Sequence, residues 1–252
     1  MKIVSLCPSL TELVFDLGAG DELVGITTFC IHPADRVGAV ETVGGTKTPD
    51  CERILQLAPD VVLMNEEENR EEDADVLAAA GIHVHNSFPR DADDTAAMVR
   101  SIAATIGRPG PGELVAAEIE ESAVEARAAA GQQARTRFVY MIWRKPWMCA
   151  SGDTFVSNLL ELAGGENVIG HEGERYPEME AALLAAADPD VVLLSSEPFP
   201  FEERHADELA LASGLPRERF QLVDGELLSW HGSRTPSGIR YAADLIGGLS
   251  GA

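Results

Sequence analysis

The chain has 252 residues, 45% hydrophobic and 24% charged, which suits a soluble globular protein of one large domain or two lobes of roughly 100 residues each. Its net charge of -23, from 42 acidic residues against 19 basic, argues against nucleic acid as a partner, because phosphate contacts need clustered lysine and arginine. The same charge argues against adsorption to an anionic membrane, and no apolar run approaches the roughly 20 residues of a membrane-spanning helix.

Met1-Lys2 leads straight into Ile3-Val4-Ser5-Leu6, which predicts a buried strand over 2–6. No apolar leader with a small-residue cleavage site is visible before it. The expectation is a cytoplasmic protein if Met1 is the natural start, and a periplasmic or extracellular one if a leader was removed. A helix follows over 9–18, where Ser9 and Glu12 have capping-box spacing. Strands are predicted at 23–27, 60–64 and 82–86, and helices at 50–57 (capped by Asp50), 71–80 and 92–106.

The next stretch, 112–131, is rich in Ala and Glu between Arg108-Pro-Gly-Pro-Gly112 and Gly131-Gln132-Gln133. About 20 helical residues span roughly 30 Å, so this helix either joins two lobes or lies on the surface of a single sheet. Beyond it come strands at 137–142, 190–195 and 220–223. The helices there are 153–163 (capped by Asp153), 178–186, 202–212 and 235–248. Strands alternating with helices predict parallel sheets with helical crossovers.

An internal repeat favours two lobes. Leu17-Gly-Ala-Gly-Asp-Glu-Leu-Val-Gly25 resembles Leu162-Ala-Gly-Gly-Glu-Asn-Val-Ile-Gly170, and Leu57-Ala-Pro-Asp-Val-Val-Leu63 resembles Ala186-Ala-Asp-Pro-Asp-Val-Val-Leu193. Both pairs keep their order on either side of the 112–131 helix, as two copies of one α/β unit would. The predicted fold is therefore α/β, with two Rossmann-like lobes of parallel strands, one long connecting helix and a ligand cleft between the lobes. The boundaries fall at 1–108, 109–133 and 134–252.

In open α/β sheets, ligands bind beyond the carboxyl ends of the strands. In the first half those loops carry Pro8, Ser9, Phe29, His32, Thr46, Lys47, Asn65 and Glu66. In the second half they carry Trp143, Arg144, Trp147, Glu197, Trp230, His231 and Arg234. All three tryptophans stand in these loops beside Arg, Lys and Pro. Trp with Arg suits a flat, partly anionic or conjugated ligand through stacking and bidentate hydrogen bonds. The plainer alternative is that Trp143 and Trp147 staple their loop to the lobe.

Gly44-Gly-Thr-Lys47 lacks the spacing of a phosphate-binding loop and reads as a tight turn. Cys7, Cys30, Cys51 and Cys149 show no CxxC pair and read as buried free thiols. A metal site from His32, His231 and Glu66 or Glu67 is the weaker reading, either as a metal-ion receptor or as a metal-dependent enzyme. His83 and His85 share one face of a strand but stand before the loops, not in them. There is no GxSxG elbow, so the chain is expected not to be an enzyme. Acidic residues cluster at two helix starts, Glu66 to Asp73 and Glu202-Glu203. There they meet the positive helix end or dock a basic partner.

Ile3-Val-Ser-Leu-Cys-Pro-Ser-Leu-Thr-Glu12, the Glu52-Arg53-Ile54 to Pro59-Asp60-Val61-Val62 stretch and Gly164-Gly-Glu-Asn167 resemble the helical-backbone substrate-binding proteins of ABC importers. That group carries vitamin B12, haem and ferric siderophores. The similarity spans nearly the whole chain and is greatest to the cobalamin-binding branch. Trp143-Arg-Lys-Pro-Trp147 and Glu226 to Thr235 look like segments of a leaderless subgroup. The resemblance implies two α/β lobes on one long helix, with limited hinge closure, and no required cofactor. It implies cobalamin, haem or a ferric chelate as the bound small-molecule ligand. In the cobalamin branch aromatics of both lobes contact the corrin, which points to Phe29, Trp143 and Trp230. Thr46 departs from a large aromatic in that branch. Docking to a permease through one Glu per lobe points to Glu71 and to Glu202 or Glu203. The protein is expected to be a monomer, and an intracellular carrier or sensor of similar fold is the alternative to an importer's receptor.

Overall fold

The computed structural model describes residues 1–131, 134–170 and 173–250. The Gln132-Gln133 helix end read from the sequence lies outside the described residues. The chain divides into two compact units that interleave in sequence. Unit 1 comprises Met1–Pro89, Asp93–Glu120 and His231–Arg234; unit 2 comprises Arg90–Ala92, Glu121–Trp230 and Thr235–Ala252.

Unit 1 holds strands β1 (Ile3–Ser5), β2 (Leu23–Ile26), β3 (Val61–Asn65) and β4 (His83–Ser87) in a parallel sheet of order β2-β1-β3-β4. Its helices are α1 (Pro8–Asp16), α2 (Cys51–Leu57), α3 (Glu71–Ala79) and most of α4 (Ala92–Thr105). Every residue of β3 is buried, as expected for a parallel strand covered on both faces. Val4, Leu6, Val62 and Met64 pack on Ile54 and Leu77 from α2 and α3.

Helix α5 (Pro109–Ala130) runs for 22 residues, its first part grouped with unit 1 and the rest with unit 2. Pro109 opens it, where a missing N–H costs nothing. Arg100 on α4 grips Glu113 and Glu120 of α5 with four charge-assisted bonds of 2.6–3.0 Å.

Unit 2 holds β5 (Thr136–Trp143), β6 (Met148–Ala150), β7 (Gly165–Asn167), β8 (Val191–Ser195) and β9 (Phe220–Val223). Its helices are α6 (Phe155–Leu162), α7 (Ala181–Ala187), α8 (Glu203–Ser213), α9 (Gly225–Ser229) and α10 (Thr235–Ser250). Strand β5 pairs in parallel with β7 and β8, and β8 with β9. The order β7-β5-β8-β9 therefore repeats β2-β1-β3-β4 of unit 1.

The repeated PDVVL stretch explains how both units start. Helices α2 and α7 end in left-handed residues, Ala58 (φ 48°) and Asp188 (φ 43°), each followed by proline, which stops the helix. The next aspartate closes a two-way clamp on the first strand. Asp60 accepts from the Lys2 N–H at 2.7 Å while its own N–H donates to the Lys2 carbonyl at 2.9 Å. Asp190 does the same with Arg137, at 2.8 and 2.8 Å. One motif thus fixes the register of the central strand pair twice.

Several expectations need correction. Helix α1 begins one residue early, on Pro8 with Cys7 as its cap and no side-chain capping bond. Ser9 therefore lies inside the helix, and Glu12 turns to Arg234 instead of back to the cap. Thr154, not Asp153, caps α6. The second sheet is not wholly parallel, because β6 folds back antiparallel on the end of β5. Strand β7 and helix α9 fall where the sequence predicts no element. Asp50 does cap α2, accepting from the Arg53 N–H at 2.9 Å.

Candidate functional site

In unit 1 the carboxyl ends of β1 and β3 carry a buried polar network. Ser9 Oγ and Asn65 Nδ2 approach His231 Nε2 at 3.4 and 3.3 Å, and all three residues are buried. The Asn65 carboxamide oxygen is already taken by the N–H groups of Glu67 and Glu68. Asn65 therefore offers only N–H groups to the ring, and Nε2 must accept. Burial accordingly pushes the His231 pKa down to about 4. His231 reaches this place on a four-residue strap, His231–Arg234, that is grouped with unit 1. The strap is held further by two bonds from Arg234 to Glu12, at 2.5 and 3.0 Å, and by Ser233 donating to Asp16 at 2.5 Å. At φ 111°, Gly232 supplies the backbone turn that a side chain would oppose.

A second polar residue ties the loops together. Buried Asn69 accepts from the Asn65 N–H at 2.8 Å and donates to the carbonyls of Leu6 and Thr46 at 2.9 and 3.0 Å. It thus pins the loop after β3 to β1 and to the 44–48 turn. Lys47 Nζ donates to the Glu67 carbonyl on the same loop. Sequence reasoning missed Asn69, whose one signal was an Asn four residues after the end of a buried strand. Glu66 and Glu71 stand nearby, on a cavity of about 270 Å³ that Asn65, Asn69, Arg70 and Asn86 also line. Phe29 and Ile31, after β2, are 59% and 48% exposed, unusually open for large apolar side chains. Half-buried His32 lies on the same loop.

In unit 2 the corresponding strand ends carry aromatics. Trp143 ends β5 and is 40% exposed, its ring meeting Phe199 edge-on at 5.9 Å. Trp147 stacks on Phe201 at 6.1 Å and under the Arg144 guanidinium, which fits the stapling alternative for this residue. Arg144 makes a bidentate pair with Glu208 at 2.7–3.1 Å. Both residues line a cavity of about 370 Å³ with Phe199, Arg204 and His205. Trp230 is buried, and its indole N–H donates to Glu197 at 2.5 Å. Below them the Tyr140 hydroxyl donates to Ser195 at 2.8 Å, in full burial that pushes its pKa up to about 12.

The docking candidates differ between units. Glu71 opens α3, and its carboxylate has no partner among the described residues. Glu202 caps α8 and pairs with Arg204, whereas Glu203 is held by Arg217. The weak metal candidates do not assemble. His231 is committed to Ser9 and Asn65, and among the described residues no three His, Cys, Asp or Glu side chains converge on one point.

Residues 3–215 match the periplasmic binding protein family. The chain belongs to that family. The vitamin B12-binding protein of Vibrio parahaemolyticus is 24% identical over 194 residues, covering 77% of this chain and 70% of that protein. The solved periplasmic vitamin B12 binding protein of Vibrio cholerae superposes with a TM-score of 0.85 at 20% identity, covering 98% of this chain and 97% of that one. The periplasmic haem-binding protein of Roseiflexus sp. RS-1 gives 0.83 at 24%, covering 99% and 98%. The resemblance to substrate-binding proteins of ABC importers therefore stands, and the chain is a binding protein of that type, not an enzyme. The cytoplasmic expectation gains no support, since the family and both solved neighbours are named as periplasmic. No helix among the described residues is long and apolar enough to cross a membrane.

Proposed function

We propose that this protein captures a tetrapyrrole-type ligand, of the cobalamin or haem kind, for delivery to an ABC permease outside the cytoplasmic membrane. The observation that carries the reading is the exposure of Phe29, Ile31 and Trp143 on strand-end loops of a chain in this family. Open aromatic and aliphatic faces on loops fixed by buried hydrogen bonds suit a broad conjugated ring, which binds by area and stacking. The names of the relatives, which bind vitamin B12 or haem, point the same way. Pro8, Thr46, Glu66 and Glu197 border these loops, while Glu71 and Glu202 or Glu203 would meet the permease.

Titration with dicyanocobinamide, cyanocobalamin, haemin and a ferric chelate, followed by tryptophan fluorescence, tests this. Exposed Trp143 should report binding as a saturable quench that Trp143→Leu reduces. If none of the four gives saturation, the reading is wrong.

A further inference from the structure

Resting on that reading, we propose that the ligand carries a carboxylate arm, and that unit 2 receives it in the cavity beside Phe199, on the His205 Nε2–H flanked by Arg144 and Arg204.

His205 is the third residue of α8 and only 5% exposed. Its ring is fixed on several sides. Nδ1 accepts the Glu202 N–H at 3.0 Å, which leaves the proton on Nε2. Phe199 and Phe201 meet the ring edge-on at 5.2 and 5.9 Å. The Nε2–H has no hydrogen-bond partner among the described residues, yet it is not sealed from solvent. It therefore opens onto the cavity of about 370 Å³ that the ring lines. Capping α8 does not by itself call for histidine, because Glu or Gln is the usual residue at this position of a capping box. Histidine differs from Glu in turning a donor, not a negative charge, toward the cavity. A buried side chain with one polar edge unpaired and rigidly held suits a preformed receptor for an acceptor atom.

Two guanidinium groups line the same cavity, and each is held along one edge only. Nε and Nη2 of Arg144 donate to Glu208 at 2.7–3.1 Å, while Nε and Nη2 of Arg204 meet Glu202 at 3.1 and 3.2 Å. Nη1 of both arginines has no hydrogen-bond partner among the described residues. These edges can only donate. With the imidazole N–H they favour a carboxylate, whose two charged oxygens answer several donors, over the single neutral oxygen of an amide or ester. Glu208 is the one acidic side chain of the lining, and Arg144 already holds it.

The cavity lies where an arm of a stacked ring would fall. Exposed Trp143 meets Phe199 at 5.9 Å, so the cavity begins one ring away from the proposed stacking face. Its volume is at the low end for small-molecule pockets, which suits a side arm better than a whole macrocycle. The net charge of -23 repels anions at long range, so a preference for a carboxylate has to come from these contacts.

Two probe pairs change the arm on a constant macrocycle: haemin against its dimethyl ester, and dicyanocobyrinic acid against dicyanocobinamide. Each is titrated by tryptophan fluorescence near neutral pH. For whichever macrocycle binds, the acid should bind about tenfold or more tightly than its neutral partner, as charge-assisted bonds imply. His205→Asn places an amide oxygen where Nδ1 accepts the Glu202 N–H and leaves nothing at Nε2, and should cut that preference about tenfold. Arg204→Gln, on a side chain 72% exposed, should cut it severalfold without touching the cap. Glu208→Gln should act in the opposite direction, by removing the carboxylate that competes for Arg144. A purely structural role would not produce that reversal of sign. Equal or tighter binding of the ester and the amide by the wild type overturns the inference and leaves the proposed function standing. A preference that none of the three variants moves overturns it as well. If no probe binds at all, the proposed function fails, and this inference with it.

Discussion

The buried imidazole of His231 should make the protein lose stability on mild acidification, by an amount that can be worked out. Its pKa is about 4 in the folded chain against an ordinary 6.5. Between those values the unfolded chain binds the proton and the folded chain does not, so stability falls as pH falls through this window. Above 6.5 the penalty vanishes. Fully developed it is about 3 kcal/mol, and between pH 6.5 and pH 5 roughly 1.5 pH units at about 1.36 kcal/mol per unit give about 2 kcal/mol. The cause of the shift is burial, and a protonated Nε2 would in addition face the Asn65 amide as donor against donor. His231→Gln keeps an acceptor near Ser9 and Asn65 but does not titrate. Urea unfolding of wild type and variant at about pH 7 and about pH 5 should show the wild type losing about 2 kcal/mol more than the variant. Asp16 and Glu68, whose pKa values are raised, are common to both proteins and cancel in the difference. A difference that stays flat across this range refutes the reasoning, as would an NMR titration of His231 with a midpoint near 6.5.

Other changes should act through single named contacts. A Cβ on Gly225 would stand 2.4 Å from Ser195 Oγ and 2.9 Å from the Glu197 nitrogen, so Gly225→Ala should cost about 1–3 kcal/mol in urea unfolding. Arg234→Met leaves the Glu12 side chain, 15% exposed, without its counter-charge; a loss of about 1–3 kcal/mol is expected, largely restored by the double change with Glu12→Met. Asn69→Ala removes three bonds and strands buried backbone groups. It should lower the melting temperature and weaken ligand binding together, whereas Asn69→Asp, which keeps the acceptor, should do less. Burial raises the pKa values of all four thiols, those of Cys7 and Cys149 to about 12. Iodoacetamide on the folded protein should therefore react slowly, with half-buried Cys51 first by peptide mapping.

Most of the fold was legible because its signals are local or repeated. The valine-rich strands β3 and β8, the Ala-rich α5 and the two PDVVL junctions announce themselves in composition and spacing. The missed elements had no such signal. Strand β7 is Gly-Glu-Asn, extended only because β5 pairs with it, and β6 exists because the Trp143–Met148 turn returns the chain antiparallel. The site was legible as a set of loops but not as a set of bonds. Whether Arg144 and Arg234 are free for a ligand depends on Glu208 and Glu12, which lie 64 and 222 residues away in sequence. Nothing in the local pattern marks those partners. The bond of Trp230 was hidden for the same reason, since Glu197, which accepts its indole N–H, is 33 residues away.

The strap at His231–Arg234 also bears on the order in which the protein can be finished. The sheet of unit 1 is complete in the first third of the chain, but the groups that saturate Ser9 and Glu12 come 222 residues later. A ribosome therefore releases a first unit whose polar face at the ends of β1 and β3 stays open to water until nearly the whole of unit 2 has been made. Domains generally fold in order of synthesis, yet here the first unit is closed by a segment that follows most of the second. Truncation shortly before residue 231 would remove nothing from the first sheet and would still leave that unit unfinished.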